Sequence, residues 1–173
     1  MTGLRIGQGY DVHAFEAGDF VTLGGVAIPH TQGIRAHSDG DVVLHALCDA
    51  LLGAGALGDI GMHFPDSDPQ WRGSDSRQFV RHVLGLIARE GYSVVNVDVT
   101  VLAEAPRLGK YREQMRSNIA ADLQIDIARV NIKATTSEGL GFIGTRQGIA
   151  CHAIALIERM QESRIPQKGL KKE

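Results

Sequence analysis

From Val94 to Ala103 the chain reads VVNVDVTVLA, with Val97, Val99 and Val101 on one parity and Asp98 and Thr100 on the other. A period of two sends alternate side chains to opposite faces, so the segment predicts a β-strand with one apolar face. Further β-like runs cover residues 4–12, 19–28, 128–137 and 148–157, the second of them broken by Gly24 and Gly25 as a hairpin turn would break it. Helical patterns lie between these runs. The expected fold class is therefore α/β (α+β): a single mixed β-sheet with helices on one face plus a small β-hairpin. Three helices cannot easily cover both faces of such a sheet, and the uncovered face predicts oligomerisation.

The first helix is expected over 41–54, where Leu44, Leu47, Cys48, Leu51 and Leu52 form an apolar stripe and Asp39 or Asp41 is available as N-cap acceptor. Asp41, His45 and Asp49 are spaced by four and share one side of that helix. A second helix runs from a cap at Ser74 or Asp75 to a stop at Gly91, and a third covers about 109–123 with Tyr111, Met115, Ile119 and Leu123 at helical spacing.

At 173 residues and 43% hydrophobic content the chain can bury a core without disulfides or a structural metal, and one domain is expected over 1–160. Residues 161–173 are charged and form an expected disordered tail. The net charge of -2 supplies no basic field for a nucleic-acid partner. Cys48 and Cys151 form no C-x-x-C pair, which suits a reducing compartment, and any metal would need His and carboxylate ligands. No apolar run approaches the roughly 20 residues that span a bilayer. With no signal-peptide pattern at the start, the expected location is cytoplasmic, with no membrane partner.

Within GQGYDVHAF, Asp11 and His13 lie two apart and point to one side of a strand. D-x-H alone reads as readily as an ordinary polar strand end. His45 is the natural third ligand, with Asp41 and Asp49 placed to orient its imidazole, although a half-buried helix histidine bonded to either acid fits the pattern as well. One Asp and two His would leave a tetrahedral zinc ion one open position.

The segments GYDVHAF, AHSDGDVVLHALCDALLGAGALGDIGMHFPDSD, NVDVTVLAEAPRL, QMRSNIAADL and VNIKATTSEGLGF resemble, in that order and spacing, the 2-C-methyl-D-erythritol 2,4-cyclodiphosphate synthases of the non-mevalonate route to isoprenoids. The resemblance runs from about Leu4 to about Ile157. It implies a homotrimer that packs its sheets around a central axis, with active sites at subunit interfaces. It further implies a phosphorus–oxygen lyase that acts on 4-diphosphocytidyl-2-C-methyl-D-erythritol 2-phosphate, a small cytidyl diphosphate substrate, and releases CMP.

Carried over residue by residue, the resemblance assigns Asp11, His13 and His45 to zinc or another divalent metal. It assigns Glu138 to a second ion, Mg²⁺ or Mn²⁺, held with the substrate diphosphate, and makes His37 and Thr136 a pair of transition-state stabilisers. Ser38, Asp59, Ile60, Gly61, Asp66 and Asp68 match positions that hold the methylerythritol portion, and Asp49, Phe64, Pro65 and Ser67 are further implied substrate contacts. Ala103, Ala105, Pro106, Arg107 and Leu108 match the cytosine loop, and Glu104 and Gly109 are further implied substrate contacts within it. Ala134, Thr135, Thr136, Ser137 and Glu138, with Phe142 and Thr145, complete the substrate contacts. Two positions depart from the usual pattern: Arg107 stands where relatives carry lysine, and Thr145 followed by Arg146 stands where many carry an arginine facing a central cavity that can hold an isoprenoid diphosphate. From the residues alone, a zinc-dependent phosphohydrolase and a non-catalytic trimeric binder of nucleotides or isoprenoid diphosphates remain as alternatives.

Overall fold

The structure is a computed structural model that describes residues 3–65 and 67–161. Its sheet has five strands: β1 (Leu4–Glu16), β4 (Gly33–Ile34), β5 (Tyr92–Leu102), β6 (Val130–Thr135) and β7 (Gly148–Arg159), in the order β4-β1-β7-β5-β6. Only β5 and β6 run parallel; the other neighbours are antiparallel, so the sheet is mixed as expected. The helices are α1 (Val42–Gly55), α2 (Ile60–His63), α3 (Arg77–Arg89), α4 (Arg112–Leu123) and α5 (Gly141–Gly144). The third helix begins later than the expected 109, because Leu108 first accepts the N–H groups of Tyr111 and Arg112 in a turn. The expected tail from 161 lies, beyond its first residue, outside the described residues.

The remaining two strands, β2 (Phe20–Leu23) and β3 (Val26–Pro29), form a separate ribbon. Gly24 and Gly25 have φ of 57° and 70°, the pair of positive values that a tight hairpin turn of matching twist requires. The turn is tied to the rest of the molecule by Asp41, whose carboxylate accepts from the N–H groups of Gly24 and Gly25 (2.9 and 2.7 Å) and also from those of Val43 and Leu44 at the start of α1. Asn118 of α4 donates to both turn carbonyls. One buried carboxylate thus satisfies helix-end donors and turn donors together. Burial pushes Asp41 up to about 6, against the pull of those N–H groups.

Helix α1 is covered on nearly every side: Leu44, Leu47, Leu51 and Leu52 have no exposed surface. It approaches β1 closely because both elements are trimmed there. A Cβ built on Gly7 would strike the backbone of Ala50 and Ala54, and one on Gly9 the backbone of Ala46 and Ala50. Ala46, Ala50 and Ala54, spaced by four, give the helix a stripe of small side chains against those glycines. Helix α3 turns Phe79, Val80, Val83 and Ile87 inward, and α4 contributes Met115, Ile119 and Leu123. All this material lies on one face of the sheet. The other face keeps Leu4, Ile6, Tyr10, Val12 and Ile154 exposed, Ile6 at 69%.

Candidate metal centre and active site

Asp11 and His13 stand on the helix-facing side of β1, two residues beyond Gly9, and His45 projects from the first turn of α1 toward them. The close approach of α1 to the β1 glycines therefore sets how far apart these three side chains lie. His45 Nδ1 is 3.0 Å from Asp11 Oδ2 and 3.2 Å from His13 Nε2, and His13 Nε2 is 3.0 Å from the same Asp11 oxygen. The triangle is nearly equilateral. A tetrahedral ion with bonds of about 2.0 Å has ligand atoms about 3.3 Å apart, so these atoms match three vertices with little adjustment. Among the described residues this is the cluster of His, Cys, Asp or Glu side chains suited to hold a metal ion. The donor set of two imidazoles and one carboxylate suits zinc.

Without an ion, burial pushes the Asp11 carboxyl up, but hydrogen bonds and charge from His13 and His45 outweigh that and hold it well below the usual carboxylate range. Burial pushes His45 down, while the hydrogen bond and charge of Asp11 carry it above its ordinary value. The two acids spaced by four from His45 do not hold its ring. Asp41 bonds the backbone groups already named, and Asp49 Oδ1 accepts the N–H of Ile60 at 2.7 Å; burial pushes the Asp49 carboxyl up, against the pull of that N–H. The outer nitrogen of His45, Nε2, instead faces Ser76 Oγ at 2.8 Å and Ser38 Oγ at 3.2 Å. Ser76 was not legible as a site residue, since D-S-R before a helix reads simply as a cap.

The triad opens into a cavity of about 840 Å³. Its walls include His37, Ser38, Ile60, Gly61, Phe64, Pro65, Ser67 and Asp68, which are gathered with the triad as a single site. Asp59 caps α2 through the N–H of Met62 and Asp68 caps a short 3-10 turn through that of Gln70. Asp66 lies outside the described residues. Trp71 and Phe79, both absent from the sequence-derived site, form an aromatic floor with Phe64; Phe64 and Phe79 stack at 4.4 Å between ring centroids. Arg35 and Arg72 also border the space and supply cationic groups suited to phosphate. Basic residues in short turns give no signal of this placement in one sequence.

The rest of the candidate residues form a second cluster at the far edge of the sheet. Ala103 donates its N–H to the carbonyl of Thr135, and Glu104 Oε1 accepts the N–H and hydroxyl of Ser137 at 3.0 and 3.2 Å. Those bonds hold the Glu104 carboxyl below its usual range. Leu108 is buried, while Arg107 and Gly109 are exposed, and the Ala105–Pro106 peptide is cis. Thr136 Oγ1 donates to Glu138 Oε1 at 2.6 Å, and Glu138 holds a left-handed backbone with φ of 54°. Phe142 is 44% exposed on α5, and the Thr145 hydroxyl donates to the Gly141 carbonyl of that helix.

The two clusters are level along the sheet but do not meet within one chain. Asp11 pairs with Cys151, Cys151 with Val101, and Val101 with Ala134. Three strand spacings separate Asp11 from Ala134, about 14 Å. His37 belongs to the first cluster and Thr136 to the second, so a single chain does not bring them together.

The YgbB family matches residues 4–158. A 2-C-methyl-D-erythritol 2,4-cyclodiphosphate synthase from Pseudomonas entomophila is 62% identical over 154 residues, which cover 89% of this chain and 98% of that protein. The solved structure of bifunctional IspDF from Campylobacter jejuni superposes with a TM-score of 0.90 at 39% identity, covering 95% of this chain and 44% of that one, so the present chain spans under half of the bifunctional protein. A CDP complex of IspF from Plasmodium falciparum superposes with a TM-score of 0.81 at 36% identity, covering 93% of this chain and 99% of that one. Among the described residues no helix is long and apolar enough to cross a membrane. The match along nearly the full length, joined to a shared fold, shows that the chain belongs to the YgbB family of 2-C-methyl-D-erythritol 2,4-cyclodiphosphate synthases.

Proposed function

We propose that this protein is a metal-dependent phosphorus–oxygen lyase that converts 4-diphosphocytidyl-2-C-methyl-D-erythritol 2-phosphate to 2-C-methyl-D-erythritol 2,4-cyclodiphosphate and CMP in the non-mevalonate route to isoprenoids. The observation that carries the reading is the triangle of Asp11, His13 and His45 at the mouth of a cavity of about 840 Å³, a size suited to a small ligand. A divalent ion held there, zinc by its donor set, supplies Lewis-acid polarisation of a phosphate oxygen.

In the reaction an oxygen of the 2-phosphate forms a bond to the β-phosphorus. The bond from that phosphorus to the oxygen bridging to the α-phosphate breaks, and this oxygen departs within CMP. A phosphate monoester dianion is already a nucleophile at neutral pH, so the chain's own task is positioning and charge stabilisation. Ile60, Gly61, Phe64, Pro65, Asp66, Ser67 and Asp68 receive the methylerythritol portion, together with Ser38, Asp49 and Asp59. Backbone groups of 103–109 receive cytosine, Thr135 and Thr136 donate to phosphate, and His37 acts with Thr136 on the transition state. Glu138 would hold a second ion, Mg²⁺ or Mn²⁺, as a hard oxygen donor.

Catalysis in this reading needs a homotrimer. The second cluster of one subunit completes the first cluster of its neighbour, which is supported by their level positions at opposite sides of one sheet. The exposed apolar face of that sheet, from Ile6 to Ile154, supplies the surface to be buried around a central axis. Residues 1–160 act as one domain, located in the cytoplasm. The test is phosphorus NMR of the products: the cyclic diphosphate with CMP is expected, and a linear bisphosphate with CMP would show water as the nucleophile and overturn the assignment.

A further inference from the structure

The ring of His45 is held from behind as well as from the front. Its Nε2 lies 2.8 Å from Ser76 Oγ. The single proton of that hydroxyl is directed to Asp39 Oδ1, and Asp39 Oδ2 accepts the N–H of Ser76 at 3.0 Å. A hydroxyl whose proton is engaged this way offers His45 only a lone pair. Nε2 must then carry a hydrogen; without an ion Nδ1 can carry one too and donate it to the Asp11 carboxylate, and once a metal displaces that proton Nδ1 is the lone-pair nitrogen facing Asp11 and His13. Ser38 Oγ, at the longer 3.2 Å, already accepts the N–H of Gly40.

Ser76 also declines the ordinary job of its position. It is the N-cap residue of α3, where a serine normally accepts a helix N–H, yet its side chain makes no such bond. Asp75 takes the N–H of Arg77 instead. Ser76 is fully buried, so its hydroxyl has no solvent alternative either. We propose that Ser76 and Asp39 are positioning residues for the metal centre: Asp39 orients the Ser76 hydroxyl, and that hydroxyl fixes the His45 ring in the tautomer that presents Nδ1 to the ion. The negative charge of Asp39, relayed through Ser76, makes the imidazole a stronger donor.

This inference rests on the reading of Asp11, His13 and His45 as a zinc site, and the experiment separates the two. Zinc affinity of the full-length protein is measured by competition with a chromophoric chelator, without substrate, together with thermal unfolding. Failure of the wild type to bind zinc would remove the site reading itself. Given binding by the wild type, Ser76→Ala and Asp39→Ala are each expected to weaken zinc about 10- to 100-fold. The double variant is expected to lose no more than the worse single one, because the two act in series. Losses that multiply in the double variant, or wild-type affinity in folded Ser76→Ala, would overturn the proposal. Should Ser76→Ala not fold, Asp39→Asn decides: its amide oxygen still accepts from Ser76, the charge is gone, and undiminished zinc affinity would overturn the relay.

Discussion

Gly9 of β1 and Ala46 of α1 meet backbone to backbone: a side-chain carbon on Gly9 would fall 2.7 Å from the Ala50 nitrogen and closer still to the Ala46 carbonyl oxygen. Neither neighbour is a flexible side-chain end, so relief requires the helix to move. Because Asp11 and His13 lie on the strand and His45 on the helix, the same movement opens the metal triangle. Gly9→Ala is expected to cost about 3 kcal/mol, the upper part of the range for overpacking, and to weaken zinc. Urea unfolding and chelator competition check this, and a variant of normal stability would show that the seam yields easily.

The coupled ionisation of Asp11 and His45 makes the metal-free protein pH-sensitive in a defined direction. The depressed Asp11 contributes stability above its ordinary value of 3.8, lost as pH falls through the folded value; the elevated His45 contributes below its ordinary 6.5, lost as pH rises through the folded value. Their joint contribution is greatest between those two values. In chelator, the stability advantage of wild type over His45→Gln is therefore expected to be larger near about pH 5.5 than near about pH 8.5. With zinc the sign reverses, since protons compete for the ligand nitrogens and affinity rises with pH. An advantage that stays constant across that range would refute the coupling.

Asp122, 4% exposed on α4, accepts from Arg77 Nε at 2.6 Å and from Arg81 at 2.8 Å on α3. Removing it strands two cations, but their side chains are 28% and 49% exposed and can turn to water. Asp122→Ala is thus expected to cost about 2 kcal/mol, less than the 3–5 kcal/mol of breaking a fully buried pair. Denaturant unfolding measures it, and zinc affinity should stay unchanged, because neither arginine touches the triad.

Glu104 links the expected cytosine loop to the 135–139 loop through Ser137. Glu104→Ala is expected to raise KM for the cytidyl substrate about tenfold, with zinc content preserved, as loss of a charge-assisted anchor predicts. Steady-state kinetics with metal analysis tests this, and a fall in kcat with normal KM would place Glu104 in the chemical step instead.

Much of this architecture was legible in local patterns. The alternating valines of β5, the leucine stripe of α1 and the D-x-H spacing depend on neighbours in the chain, and each appears where its period places it. The hairpin was legible beside the sheet from its glycine turn, but not the way it is anchored, because that depends on Asp41 and Asn118 reaching Gly24 and Gly25 from other elements. The orientation of His45 was misread for a similar reason. Spacing by four brought Asp41 and Asp49 to its side of the helix, yet both carboxylates found unpaired backbone N–H groups, which cost more to leave buried than a histidine needs support. Ser76, thirty-one residues away, took the role, and no pattern within one sequence marks such a pairing.

The division of the site between two edges of one sheet has a genetic consequence. In the proposed ring, an allele lacking His45 still supplies a sound 103–138 edge, and an allele lacking Glu138 still supplies a sound triad. Mixed rings built from the two products contain interfaces where both sound edges meet. Two individually inactive genes would therefore restore activity when expressed together, and each gene product is best regarded as lending half a site on one side and borrowing half on the other.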